Sequence, residues 1–176
     1  MLFVTPEQTK TLYLRAFAGG VYEDGVWKKL PGSAYGGDYA GMLEWLKQQD
    51  FDPLTQSADY YRLSRDGVKE DSTEDLPDEN VVHVQVNGAS RYYVYVPSSV
   101  EQIVGKKAKE KKDSWFAGKG LFGAKTYDWK EISGSRPAEL TVAKAWVSEP
   151  VTEEQTRYSR AEAVYREFVY ENYLTV

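Results

Sequence analysis

Between Val81 and Pro97 the chain reads VVHVQVNGASRYYVYVP, and the period-two alternation in this stretch constrains the architecture more than any other feature. Val82, Val84 and Val86 alternate with His83 and Gln85, so one face of an extended strand is wholly apolar, as a half-buried sheet requires. Asn87-Gly88 follows, and then RYYVYV, in which Tyr92, Val94 and Val96 are opposite in phase to Tyr93 and Tyr95. Two β-rich runs flanking Asn-Gly predict a hairpin, with Ala89 and Ser90 available to lengthen its loop. Pro97 stops the second strand, because proline has no amide hydrogen for a ladder.

The flanking segments extend this pattern. LYLRAFAGGVYEDGVW, from Leu12 to Trp27, predicts strands on either side of Gly19-Gly20, with a tight turn at Asp24-Gly25. PGSAYGGDYA, from Pro31 to Ala40, is too glycine-rich for a regular element and reads as loop. Met42, Leu43, Trp45 and Leu46 then sit at helical spacing ahead of Pro53 and predict a short helix. Asp66 to Asn80 is polar and acidic and reads as an exposed connection, and KKAKEKK, from Lys106 to Lys112, as a solvated segment. Thr126–Ile132 and Leu140–Val147 alternate again and predict two strands, the second with Leu140, Val142 and Trp146 on one face.

Near the end the period changes. Thr152 with Gln155, and Ser159 with Glu162, fit the capping box that satisfies free amides at a helix start. Ala161, Val164, Tyr165, Phe168, Val169 and Tyr173 recur at helical spacing, and Glu162 with Arg166 forms a favourable pair four residues apart. The expectation is a mainly β fold, an antiparallel β-sandwich over residues 1–150, with a short internal helix after Gly41 and a C-terminal helix over 151–176. A chain of 176 residues has enough core to fold without disulfides or a structural metal.

Composition excludes more chemistry than it suggests. With no cysteine there is no thiol nucleophile, redox pair, iron–sulfur cluster or thiolate zinc site in this chain, and one histidine cannot build a three-histidine centre. The formal charge of -5 argues against a general nucleic-acid binder. No apolar run approaches the 18 or so residues of a membrane span, so membrane segments or an export signal would belong to sequence outside this piece.

The candidates for chemistry are few. His83 can act as an acid or base near neutral pH, but it lies in phase with Gln85 and reads as a half-exposed strand residue. Asp71, Glu74, Asp75, Asp78 and Glu79 offer oxygens for a hard cation; they lack the spacing of a helix–loop–helix calcium site and read as a solvated loop. Two carboxylates in one cleft could run a hydrolysis, which sequence cannot locate among 27 acidic residues. Trp115, Tyr127 and Trp129 lie among glycines and lysines and form a possible binding surface for stacked sugars, against the competing reading that they supply the core. No cofactor is implied.

Three stretches together resemble bacterial membrane-anchored proteins that carry an extracytoplasmic transglutaminase-like domain: Tyr13–Trp27 (YLRAFAGGVYEDGVW), Val81–Pro97, and Tyr165–Val176 (YREFVYENYLTV). The family works through a Cys, His and Asp set, and with cysteine absent none of its catalytic residues carries over; His83 does not stand in the expected context either. What the resemblance implies is a non-catalytic accessory or docking domain between the membrane segments and the enzyme domain. Its partner would be the absent C-terminal transglutaminase-like domain of the same polypeptide, met through a helix face of Tyr165, Phe168, Val169 and Tyr173. Cell-wall polymer or a protein would be the substrate, with an extracytoplasmic location and membrane attachment only through segments outside this chain. The alternatives are a carbohydrate-binding module for cell-wall glycan and a hydrolase using acidic residues.

Overall fold

A computed structural model describes residues 1–6, 11–66, 79–105, 108–119, 121–132 and 147–173. Strands β1 (Leu2–Pro6), β2 (Val21–Glu23) and β3 (Val26–Lys28) come first, then helices α1 (Met42–Gln48) and α2 (Gln56–Asp66). Strands β4 (Glu79–Val86), β5 (Tyr93–Val94), β6 (Val100–Val104), β7 (Ala108–Lys111), β8 (Trp115–Gly118) and β9 (Thr126–Ile132) follow, and helix α3 (Glu153–Asn172) comes last. The strands form three antiparallel sheets in the orders β1-β4-β9-β6, β2-β3 and β5-β8-β7.

The valine face does what its alternation demands: Val82, Val84 and Val86 are fully buried, whereas His83 and Gln85 are exposed. The expected hairpin is overturned. Both edges of β4 are taken by other partners, β1 with Val4 opposite Val84 and β9 with Tyr127 opposite Val84. RYYVYV instead supplies β5, which pairs with β8 in another sheet. Asn87-Gly88 does turn the chain, with Gly88 at φ +88, but the Asn87 amide donates to the Met1 carbonyl and not back across a hairpin. The Asn-Gly signal reports a local backbone bend; which strand becomes the neighbour is decided by packing far along the chain.

Gly88→Val should therefore still destabilise the protein, by about 1–2 kcal/mol, through the cost of a β-branched residue in the left-handed region. Space is not the issue, since an added Cβ would come no closer than 3.5 Å to another atom. A thermal melt checks this, and an unchanged midpoint refutes it.

The turn at Asp24-Gly25 is as expected. Glu23 pairs with Val26, so two residues close the β2–β3 hairpin, and both have positive φ, +52 and +77. Ahead of Gly19-Gly20 the anticipated strand reduces to one bridge, Arg15 with Val96. The lysine-rich stretch is corrected in part, since Ala108–Lys111 is β7. That strand lies at a sheet edge, where backbone pairing needs no apolar alternation and lysine is a usual occupant. Residues 67–78, 106–107 and 140–146, which cover most of the acidic connection and of the strand expected before Val147, lie outside the described residues.

Roughly 30% of the described residues are in strands and 33% in helices, so the fold is mixed, which corrects the mainly β expectation. The sequence pattern predicts no element over β1, β6, β8 or α2; the buried apolar side chains of α2 are Ala58 and Leu63, too few and too far apart to make a helical stripe. One core gathers Val82, Val84, Val86, Val94, Phe116, Tyr127 and Trp129. A second gathers Leu46, Phe51, Leu63, Tyr158, Ala161 and Phe168. Helix α3 thus buries its stripe mainly against helical and loop residues of this chain, with Val21 of β2 packed at the edge of the same cluster.

Its start follows the sequence. Thr152 Oγ1 accepts the Gln155 amide at 3.1 Å, and Gln155 Oε1 accepts the Val151 amide at 3.0 Å. The same buried side chain donates from Nε2 to the Leu63 carbonyl at 2.8 Å, which ties the helix start to α2. The second capping box is not a helix start: Ser159 lies inside α3, and its hydroxyl donates to the Val147 carbonyl at 3.0 Å.

Candidate functional site

The glycine-rich loop is not featureless, because two 3-10 turns, Gly32–Tyr35 and Gly37–Tyr39, aim Tyr35 and Tyr39 at α3. Opposite them, Lys112 at φ +55 turns β7 into β8 and carries Asp113 inward, where it is 4% exposed. Three tyrosines converge on this carboxylate. Tyr35 donates to Oδ1 in a short hydrogen bond, while Tyr173 and Tyr165 donate to Oδ2 at 2.9 and 3.1 Å. Ser114 Oγ adds contacts to the Tyr173 hydroxyl at 3.1 Å and to Asp113 Oδ1 at 3.4 Å. The Lys112 ammonium lies 3.5 Å from the centre of the Tyr35 ring, a close cation–π approach.

Burial, reinforced by Asp113, raises the Tyr35 and Tyr165 hydroxyls far above the usual phenol range, and burial takes Tyr173 up to about 12. All three are therefore donors throughout the physiological range, which is what a carboxylate acceptor needs. The result is a clamp that fixes both ends of the last two turns of α3 to the β7–β8 turn and to the glycine-rich loop. Of the expected helix face, Phe168 is fully buried between Tyr35 and Tyr39, Val169 packs on the same core, and Tyr165 and Tyr173 work through their hydroxyls. Beside the clamp lies a cleft of about 440 Å³ lined by Arg15, Asp113, Glu162, Tyr165, Arg166 and Tyr173. Arg15 donates to the Leu54 carbonyl at 3.1 Å, and Glu162 pairs with Arg166 at 3.1 Å.

The aromatic candidates separate. Tyr127 and Trp129 are fully buried, so they are core and not a platform, a correction that follows from β9 itself: Tyr127, Trp129 and Glu131 share its inner face. The Tyr127 hydroxyl accepts the Tyr95 amide at 2.7 Å and so joins the four-stranded sheet to the chain leaving β5. Trp115 alone of the three is half-buried at a groove, of about 390 Å³, which it lines with Tyr35, Tyr92, Lys29, Lys111 and Lys112. Phe17 and Tyr93 support the indole from behind at ring distances of 6.3 Å each.

His83 has the carboxylate neighbour that the sequence could not place. Its Nδ1 meets Asp128 Oδ1 across the β4–β9 pair, but on the outer face of the sheet, where this is an ordinary surface hydrogen-bond contact. Asp71, Glu74, Asp75 and Asp78 lie outside the described residues, and Glu79 begins β4. Among the described residues no group of three or more His, Asp or Glu side chains could hold a metal ion.

Two carboxylates that sequence did not single out share a third cleft, of about 310 Å³: Asp52 and Glu110, with Glu101 also on its wall. Glu110 is paired with Lys47, and Asp52 accepts the Leu54 amide at 2.8 Å. Burial, and more weakly Glu110, raises the Asp52 carboxyl. Nearby in the first turn of α2, burial pushes Asp59 up to about 6 in spite of the Thr55 hydroxyl that it accepts at 3.1 Å.

A carboxyl whose folded value stands above its unfolded value, about 3.9, binds protons more tightly when folded. Its contribution is fully present below about pH 4 and is lost as pH rises through about 6. Asp59→Asn keeps the acceptor and removes the charge, so it should stabilise the protein by about 1–2 kcal/mol at pH 7 and by little at pH 4. Urea unfolding at the two pH values checks this, and an equal effect at both contradicts it.

Against protein-family models, curated proteins and solved structures, the chain has no match.

Proposed function

We propose that this chain is a non-catalytic positioning domain. It holds α3 in one direction and so sets where a transglutaminase-like catalytic domain beyond that helix stands, on the extracytoplasmic side of a membrane crossed only by segments outside this chain. The observation that carries this reading is the Asp113 clamp. A helix held by side-chain hydroxyls at Tyr165 and Tyr173, on a carboxylate from a different layer, is stiff where it leaves the domain. We read the four-stranded and three-stranded sheets as two layers of an open sandwich, supported by the single core to which Val84 and Trp129 of one and Val94 and Phe116 of the other contribute.

Sequencing the reading frame past Val176 tests the assignment: a continuation into a domain bearing a Cys, His and Asp set is expected. Turnover by the isolated chain, or a stop codon directly after Val176, overturns it.

The Trp115 groove favours one second reading, a module for cell-wall glycan. The half-buried indole and Tyr92, 51% exposed, offer aromatic faces, with lysines at the rim for acidic groups. Calorimetric titration with soluble peptidoglycan fragments should show binding that Tyr92→Ala weakens about tenfold, roughly the loss of one stacked ring. No heat, or an unchanged affinity in the variant, removes this reading.

A further inference from the structure

The loop between β8 and β9 carries two adjacent, strongly exposed apolar side chains: Leu121 is 92% exposed and Phe122 is 79% exposed. The backbone is held at Gly118 and at Ala124, on either side of this pair. The Gly118 amide donates to the Tyr92 carbonyl at 2.8 Å, and the Ala124 amide donates to the Arg91 carbonyl at 2.9 Å. Gly123 closes the turn at φ +73 with its α-carbon so near Arg91 that an added Cβ would lie 2.2 Å from the Arg91 carbonyl oxygen. Leu121 and Phe122 are thus presented outward by a turn that only glycine permits at this point.

The charge around this tip departs from the rest of the chain. Lys119 and Lys125 flank the apolar pair and are exposed, and Arg91 stands beneath it. Neither the run from Asn87 to Val100 nor that from Ser114 to Tyr127 contains an aspartate or glutamate, in a chain with a net charge of -5. Tyr92, 51% exposed, adds an amphipathic ring at the same edge.

We propose that this tip is a peripheral membrane-docking element that inserts Leu121 and Phe122 into the interface of a bilayer containing anionic phospholipid, with Lys119, Lys125 and Arg91 on the headgroups. The shape decides against a protein partner. A stable protein interface covers about 800 Å² on each side, which two side chains on a convex turn do not provide, whereas a bilayer accepts a small apolar wedge ringed by cations. Either signal alone gives marginal attachment, and the two together give usable binding.

The test is co-sedimentation of the chain with phosphatidylcholine vesicles, with and without phosphatidylglycerol. Binding is expected only with the anionic lipid and should weaken as salt is raised, because the cationic ring is screened. Leu121→Ser/Phe122→Ser should cut the partition coefficient more than tenfold at an unchanged melting temperature, since both positions are exposed. Lys119→Gln and Lys125→Gln should each cut it about fivefold. Absence of vesicle binding overturns the proposal, as does equal binding to neutral vesicles or binding unaffected by the Leu121/Phe122 variant. So does a self-associated species in sedimentation velocity that this variant dissolves while vesicles capture nothing, since the tip would then serve a second copy of the chain.

Discussion

Asp113→Ala is expected to lower the unfolding free energy by about 3 kcal/mol, because hydrogen bonds to a charged group contribute about 1.5–3 kcal/mol each and the abandoned hydroxyls are partly desolvated. In a domain of this size that corresponds to a fall of roughly 6–12 °C in melting temperature. Tyr35, Tyr165 and Tyr173 all direct their hydroxyls at this one side chain, so the single substitution removes three bonds at once. Asp113→Asn should cost about half as much, since its amide keeps one acceptor for Tyr35 and can donate to a tyrosine oxygen. Asp128→Ala supplies the contrast: it deletes a half-exposed surface partner of His83 and should change stability by less than about 1 kcal/mol. Hydrogen exchange adds a readout specific to the clamp, with faster exchange at the C-terminal turn of α3 in Asp113→Ala than in the parent. If Asp113→Ala melts with the parent, the clamp does not hold the helix and the positioning role falls with it.

The same cluster shows where sequence reading stops. The stripe Tyr165, Phe168, Val169 and Tyr173 is legible as one face of a helix from spacing alone. What the face meets is not, because Asp113 lies 78 positions from Tyr35, 52 from Tyr165 and 60 from Tyr173, and nothing local ties an aspartate in a lysine-rich stretch to three distant phenols. Local grammar was reliable where the physics is local: the two left-handed residues at Asp24-Gly25, the Thr152–Gln155 cap, the buried valines of β4. It failed where partners are chosen at long range, as in the assignment of β1 and β9 to the two edges of β4. It also failed for α2, whose two buried apolar anchors leave no period to detect. The Asp52–Glu110 cleft belongs to this second kind, since its carboxylates come from the loop before α2 and from β7, the strand read as a solvated lysine run.

Trp129→Ala should be the most damaging single change, costing about 4 kcal/mol, the range for emptying a buried aromatic site. Set against a total stability of about 5–15 kcal/mol for a typical domain, that loss leaves a marginal fold or none. Trp129 is fully buried on β9 with Val82 and Ile103 opposite it on the two neighbouring strands, so the hole would open in the middle of the four-stranded sheet where backbone ladders on both sides limit collapse. Trp129→Phe isolates the reason. The indole Nε1 has no hydrogen-bond partner among the described residues, so phenylalanine forfeits volume but no hydrogen bond and should cost about 1–2 kcal/mol. Urea unfolding of the two variants distinguishes core from ligand platform: a large loss for alanine with most stability retained by phenylalanine is the core pattern. A tryptophan serving as a sugar-stacking surface would give nearly parental stability in both variants, and that outcome would return Trp129 to the binding surface from which its burial removes it.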